Sequence, residues 1–236
     1  MHRNEIQLLS TGPLSQALKS DAANKGISIE EVSFIRTEEI VDEEMQRRIK
    51  ELSLLDITVV FTSSNAVNMV AKYISPKTTW KIFCIANATK MIVKELFPEG
   101  NIIDTAYYGG DLAERIIENS PAKIIFFCGD QRRDELPEKL RNNGIEVEEI
   151  TVYKTIEIPE VLSKQYDGIL FFSPSAVRSF FSTNEVTGKA QIFAIGSTTA
   201  REVKNYTQQF VHITDNPGKG NLLKTAINHF SKNKII

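Results

Sequence analysis

The sequence predicts an α/β fold of two related lobes, each built on a parallel sheet, and three observations carry that prediction. Short β-branched and aromatic runs alternate with segments of helical periodicity along almost the whole chain, the pattern expected of strand–helix–strand units. Three blocks recur at a constant spacing of 110 residues: Phe61-Thr62-Ser63-Ser64-Asn65-Ala66-Val67 with Phe171-Phe172-Ser173-Pro174-Ser175-Ala176-Val177, Ile82–Thr89 with Ile192–Thr199, and Gly110-Asp111-Leu112 with Gly220-Asn221-Leu222. Two copies are too few for a solenoid, but they fit two lobes facing each other across a cleft at the carboxyl ends of their strands. No Pro/Ser-rich linker or low-complexity stretch interrupts the chain, so a division into domains must run through structured segments.

Taken in order, candidate strands occupy 5–10, 27–34, 57–62, 81–85, 123–128, 145–152, 167–172, 191–195 and 210–213. Between them, apolar residues fall on single helix faces: Val67, Val70, Ala71 and Ile74, then Leu112, Ala113, Ile116 and Ile117, and finally Leu222, Leu223, Ala226, Ile227 and Phe230. In the strand carrying Tyr153, alternation puts Ile150 and Val152 on one face and Thr151, Tyr153 and Thr155 on the other.

Composition removes several classes of function. The 236 residues are 42% hydrophobic and 25% charged, ordinary for a folded chain of one large or two small domains. A net charge of −2 supplies no global basic field for nucleic acid. The longest apolar blocks are five residues, such as Ile124–Cys128, against the roughly 20 needed to span a bilayer. The start, Met1-His2-Arg3-Asn4-Glu5, lacks a secretory h-region. A cytoplasmic protein without nucleic-acid or membrane partners is expected. Cys84 and Cys128 end apolar strands without a metal-spaced partner, so buried thiols are expected. His2, His212 and His229 lie outside the motifs.

Chemistry concentrates where strands run into Ser/Thr/Asn clusters: Thr62-Ser63-Ser64-Asn65, Asn87-Ala88-Thr89, Ser173-Pro174-Ser175-Ala176 and Gly196-Ser197-Thr198-Thr199. Such clusters cap helix starts. Thr199 with Glu202 has capping-box spacing, and Pro174 suits the first helical position. Capping alone accounts for any one cluster. Four of them in related lobes also describe a surface of backbone N–H and hydroxyl donors suited to a flexible polyanion. Gly129 permits a tight turn after its strand, and Arg132 and Arg133 follow where an anion would arrive, or else form a solvated helix start. Tyr153 by itself reads as packing. Neither GxGxxG after a strand nor GxxxxGK[ST] is present, which weighs against a nucleotide enzyme. A two-lobed anion-binding or sensor module without catalysis remains compatible with the clusters.

Gly129-Asp130 through Leu136-Pro137 with Ile150-Thr151-Val152-Tyr153, then Phe172–Ala176 and Phe193–Ala200, resemble in order the signatures of the uroporphyrinogen-III synthase family. The likeness runs from about residue 57 onward. Many members carry Arg after the first strand's Thr, where this chain has Thr11-Gly12-Pro13. The resemblance implies Rossmann- or flavodoxin-like lobes joined by a two-stranded β connection. The first domain would comprise 1–35 and 155–236 and the second 38–152, with strands 27–34 and 145–154 as the crossings. It implies a monomer acting without metal or organic cofactor on hydroxymethylbilane, a linear tetrapyrrole with eight carboxylates. That substrate would be closed with loss of water and inversion of its terminal ring through a spiro intermediate. It also implies Tyr153 as the acid assisting hydroxyl departure. The hydroxyl clusters would hold carboxylates mainly through backbone N–H groups, so that Ser63→Ala or Ser175→Ala would each cost about 1 kcal/mol.

Overall fold

Alternation within the interior strands sends successive apolar side chains to opposite sheet faces, and helices cover both faces. The computed structural model describes residues 5–186 and 188–232. His2 and the rest of the first four residues, on which the reading of the chain's start rests, lie outside them. In chain order the elements are β1 (Ile6–Ser10), α1 (Gln16–Ala23), β2 (Ile27–Glu31), β3 (Ile35–Glu39), α2 (Glu43–Ser53), β4 (Thr58–Phe61), α3 (Ser64–Ala71), β5 (Lys81–Ile85), α4 (Ala88–Leu96), β6 (Asn101–Ala106) and α5 (Gly109–Asn119). They continue with β7 (Lys123–Gly129), α6 (Glu135–Asn142), β8 (Glu146–Glu157), β9 (Gly168–Phe171), α7 (Pro174–Phe181), β10 (Gln191–Ala194), α8 (Ser197–Lys204), β11 (Val211–Ile213) and α9 (Lys219–Lys232).

The chain divides into two units: Met1–Arg36 with Ile156–Ile236, and Thr37–Thr155. In the first, a parallel sheet runs β11-β10-β9-β1-β2. Leu9, Phe171 and Ile192 point to one face, under Val177, Phe180 and Val203 of α7 and α8. Leu8, Leu170 and Phe193 point to the other, under Ala22 of α1 and Leu222, Leu223 and Ala226 of α9. In the second unit the order is β3-β8-β7-β4-β5-β6. The five strands from β8 to β6 pair in parallel. Val59, Phe61, Ile125 and Phe127 face Ile49, Val67, Trp80 and Val93. Val60, Phe126 and Cys128 face Leu112, Ile116 and Leu140. Among the described residues no helix is long and apolar enough to cross a membrane.

The 110-residue repeat proves to be three consecutive strand–helix pairs: β4-α3-β5-α4-β6-α5 in one unit and β9-α7-β10-α8-β11-α9 in the other, with α3 and α7 in register at both ends. Each sheet also has one place where successive connections turn outward in opposite directions, between β4 and β7 in the second unit and between β1 and β9 in the first. Loops at the carboxyl ends of such strand pairs are where open α/β sheets present ligand-binding groups.

Two expectations need correction here. Residues 27–34 do not form one strand that crosses between the units. β2 pairs with β1 from Ile27 to Glu31, the chain breaks at Val32-Ser33-Phe34 with Phe34 buried, and the crossing falls in the separate strand β3, beside β8. The sense of that pair is shown by the hydrogen bonds from Ile40 N to the Val152 carbonyl (3.2 Å) and from Ile158 N to the Phe34 carbonyl (2.9 Å). Numbers rise on one strand as they fall on the other, as in antiparallel pairing. Thr199 does not begin a capping box either. The N-cap of α8 is Gly196, which places Thr199 buried in the first turn.

Candidate active site

Tyr153 reaches its position through an irregularity in β8. Pairing with β7 runs regularly to Cys128 opposite Thr151 and then shifts, so that Gly129 lies opposite Tyr153. The extra residue breaks the two-residue alternation. Tyr153 consequently packs against the same cluster as Ile150 and Val152, rather than on the opposite face as alternation alone predicts. Its ring lies across Gly129: a Cβ at that glycine would stand 2.4 Å from Tyr153 Cζ and 2.7 Å from Oη. Because nothing fills that space, the phenol extends past β7 to the turn after β4, where Oη is 2.9 Å from Ser63 Oγ.

Each partner is held from a different element. Ser63 is the N-cap of α3, its Oγ accepting from Asn65 N at 3.2 Å. Asp130, just past Gly129, donates its N–H to the Tyr153 carbonyl (3.1 Å), and its carboxylate accepts from Thr155 N (2.9 Å). The turn after β7 therefore grips β8 at the tyrosine and two residues beyond it. Burial pushes the Tyr153 pKa above the ordinary phenol value, Cys128 and Asp130 push it the same way, and hydrogen bonds with Ser63 and Asn65 oppose the rise. The hydroxyl stays protonated at neutral pH.

Around this centre Thr62 is half-buried and Asn65 exposed. Ser64 Oγ lies 3.4 Å from Oγ1 of the buried Thr89 on α4. Asn87 is the N-cap of α4 but makes no side-chain cap bond there, and its backbone φ is 65°. Arg132 is already paired: its guanidinium meets Glu149 and Asp134, and Glu149 also takes Arg141 at 2.6 Å. Two carboxylates satisfy that cation, which leaves it a poor receiver for an incoming anion. Cys128 and Cys84 are buried, with thiol pKa values raised by desolvation, for Cys84 to about 11. Both behave as small apolar side chains.

In the first unit the corresponding clusters follow β9 and β10. Ser173 Oγ caps α7 by accepting from Ala176 N at 3.1 Å, with Pro174 in the first helical turn. Ser175 and Ala176 are buried. Gly196 precedes α8 without a side-chain cap, Ser197 is exposed and Thr198 half-buried. The structure thus joins Tyr153, Gly129 and Ser63, and separately joins Ser64 to Thr89. Ser173, Ser175, Ala176 and Gly196–Thr199 belong to the other unit.

Sequence reasoning marked the loop after β1 only as a departure from the family pattern at Thr11-Gly12-Pro13 and missed how it is held. Buried Thr11 donates both its N–H (3.1 Å) and its hydroxyl (2.8 Å) to the Leu170 carbonyl, tying that loop to β9. Lys219, at the start of α9, donates to the Pro13 carbonyl (2.5 Å) and lies 5.4 Å from the Phe172 ring centroid. A signal was available, since the repeat aligns the start of α9 with that of α5.

Comparison with known proteins agrees with this architecture. The family model described as "Uroporphyrinogen-III synthase HemD" matches residues 16–224. The uroporphyrinogen-III synthase of Saccharomyces cerevisiae is 28% identical over 109 residues, a match covering 39% of this chain and 40% of the yeast protein. Two crystal structures share the fold. A mutant uroporphyrinogen III synthase from the extremely thermophilic bacterium Thermus thermophilus superposes with a TM-score of 0.58 at 15% identity, covering 96% of this chain and 98% of that one. The uroporphyrinogen-III synthetase of Helicobacter pylori gives 0.60 at 14% identity, covering 95% and 99%. With its ordered motifs, its repeat and a family match from Gln16 to Lys224, the chain belongs to the uroporphyrinogen-III synthase family.

Proposed function

We propose that this chain carries out the reaction of its family as a lyase of tetrapyrrole biosynthesis, converting hydroxymethylbilane to uroporphyrinogen III with Tyr153 as the assisting acid. The observation that supports this reading most directly is the half-buried Tyr153 hydroxyl held over Gly129, 2.9 Å from Ser63, where β4 and β7 end beside β8. The substrate's hydroxyl is activated from within, because the lone pair of the adjacent pyrrole nitrogen can expel it. Tyr153 would give its proton to the departing oxygen as the C–O bond breaks and its electron pair leaves as water. The terminal ring then attacks the exposed methylene carbon through its substituted α-carbon to give the spiro intermediate. The bond from that α-carbon to its original methylene bridge breaks, and the released methylene carbon bonds to the ring's free α-carbon, which closes the macrocycle with the ring inverted. The proton lost on restoring the pyrrole returns to the phenolate. A positioned acid contributes typically about 10²–10⁴-fold, and holding one ring closure in reach can contribute more.

The eight carboxylates are assigned to the helix starts. Backbone N–H groups at the first turns of α3, α4, α7 and α8, next to Thr62–Asn65, Asn87–Thr89, Ser173–Ala176 and Gly196–Thr199, are donors without a fixed counter-charge. Arg132 is assigned to the Glu149–Asp134 network that fixes the turn. The chain is proposed to act as a cytoplasmic monomer.

The test is to supply freshly made hydroxymethylbilane, oxidise the products and measure the ratio of type III to type I isomers. Dominant type III is expected. Only type I, the spontaneous product, would remove the assignment. Tyr153→Phe should lower turnover about 10²-fold while the remaining enzymatic product stays type III.

A further inference from the structure

Ser63 enters as one member of a hydroxyl cluster suited to carboxylates, and on that footing Ser63→Ala should cost about 1 kcal/mol, felt in substrate binding. Its surroundings indicate a different task. Ser63 Oγ accepts from Asn65 N at 3.2 Å and lies 2.9 Å from Tyr153 Oη. A serine hydroxyl has one proton to give. With its oxygen already accepting the cap bond, the arrangement that uses every group once has Ser63 donating to the tyrosine. The phenol proton is then directed away from Ser63, free for a ligand. The opposite arrangement makes Ser63 accept twice and leaves its own proton to find another acceptor. The Asn65 side chain also forms a hydrogen bond that lowers the Tyr153 pKa, as the bond with Ser63 does. Both favour the phenolate, as donors to the oxygen would.

We propose that Ser63 is a positioning residue for the acid: it donates its hydroxyl proton to Tyr153 Oη, turns the phenol proton toward the ligand, and holds the phenolate oxygen after that proton has left. The catalytic use of this arrangement rests on Tyr153 being the acid, but the direction of the hydrogen bond does not. The capping bond puts Ser63 at the start of α3, so the backbone N–H of Asn65 polarises the serine toward the tyrosine. The chain of donors runs from Asn65 N through Ser63 Oγ to Tyr153 Oη and on to the departing oxygen. During transfer the tyrosine O–H breaks, an O–H bond forms on the leaving group, and the phenolate keeps the electron pair until the pyrrole proton restores it.

The sign of one pKa change decides the direction. Label tyrosine with 13C at Cζ, assign Tyr153 as the signal lost in Tyr153→Phe, and titrate it by NMR in the full chain. If Ser63 donates, Ser63→Ala removes a group that stabilises the phenolate, and the Tyr153 pKa rises; Ser63→Thr, which keeps a hydroxyl, restores it. A fall or no change in Ser63→Ala overturns the proposal. Turnover of Ser63→Ala should drop about 10-fold with KM within about twofold, the signature of an interaction made mainly in the transition state. The alkaline limb of its rate profile should move up with the pKa. Loss of a cap is controlled by Ser15→Ala, which removes the Leu18 N cap bond of α1 (3.4 Å) in the other unit and should leave the Tyr153 titration unchanged. A raised pKa in Ser63→Ala, combined with undiminished activity of Tyr153→Phe, would keep the hydrogen bond and discard the acid.

Discussion

Gly129 sets how far Tyr153 can reach, and it does so by lacking a side chain rather than by unusual backbone freedom. The tyrosine sits on β8, with β7 between it and β4, so its hydroxyl meets Ser63 only by crossing β7. An alanine there would bring Cβ within 2.4 Å of Cζ and 2.6 Å of Cε2, well inside contact distance, and the ring must swing away. Gly129→Ala should therefore cost about 1–3 kcal/mol of folding stability as an overpacked site, measured by urea denaturation. It should also lower turnover nearly as far as Tyr153→Phe, about 10²-fold. In the double variant the two losses should not multiply, because once the hydroxyl is gone its displacement has nothing left to remove. Full turnover in Gly129→Ala would show that the ring's placement over β7 is immaterial. A glycine after the strand and a tyrosine beyond it could both be read from sequence. Their contact could not, because it depends on a bulge that alternation does not announce.

At the scale of single elements, every interior strand was recognised from sequence, as were the edges β2 and β11 of the five-stranded sheet, and the two strands that escaped are the edges of the six-stranded sheet. β3 reads Ile-Arg-Thr-Glu-Glu and β6 reads Asn-Ile-Ile-Asp-Thr-Ala; such edges carry charge and polarity because their outer side faces water and must resist further pairing. The repeat nonetheless held the missing information for β6, since stepping back 110 residues from β11 lands on it. Caps were legible where a serine precedes the helix, and Ser173→Ala should cost about 1 kcal/mol in denaturant unfolding. They were not legible where glycine takes that position, as at α8. The edge strand β11 supplies a pH prediction. His212 lies against Phe193, Phe210 and His229, with ring centroids 4.9, 4.8 and 4.5 Å away, and Gln191 Oε1 is 3.3 Å from its Nε2. Burial, then the neighbouring His229, holds its pKa below 6.5. The folded state thus prefers neutral imidazole. The resulting stability is complete above about pH 6.5 and is lost as pH falls through that value toward the folded one, while the unfolded chain protonates first. His212→Phe keeps the ring stack and removes the titration, so its melting temperature should fall less than wild type between pH 7.5 and 5.5. Equal falls would place the acid sensitivity elsewhere.

At the scale of the whole chain, the second unit has an apolar core of its own. Its two apolar clusters, around Phe61–Trp80–Phe127 and around Phe83–Leu112–Phe126, share no residue with those of the first unit. The chain enters it in β3 and leaves it in β8, two neighbouring strands, so cutting it out leaves both ends together on one edge without opening a sheet interior. Thr37–Thr155 is roughly 120 residues, within the usual size of an independent domain. The excised segment should fold, with a single cooperative urea transition seen alike by far-ultraviolet circular dichroism and Trp80 fluorescence. Trp80 reports well because it is fully buried, stacked on Phe127 at 5.7 Å, with its indole N–H donated to the Leu52 carbonyl. The first unit is expected to be less tolerant of the converse cut, because its sheet joins β1 to β9 across the whole insertion and that pairing must be closed over a new turn. Tyr153, Ser63, Gly129 and Asp130 all lie within Thr37–Thr155. Tyr153 in the excised segment should therefore titrate above the ordinary phenol value, as burial dictates in the full chain. An ordinary phenol titration in a segment that still unfolds cooperatively would show that its burial depends on the first unit, and that the site is assembled by the whole chain.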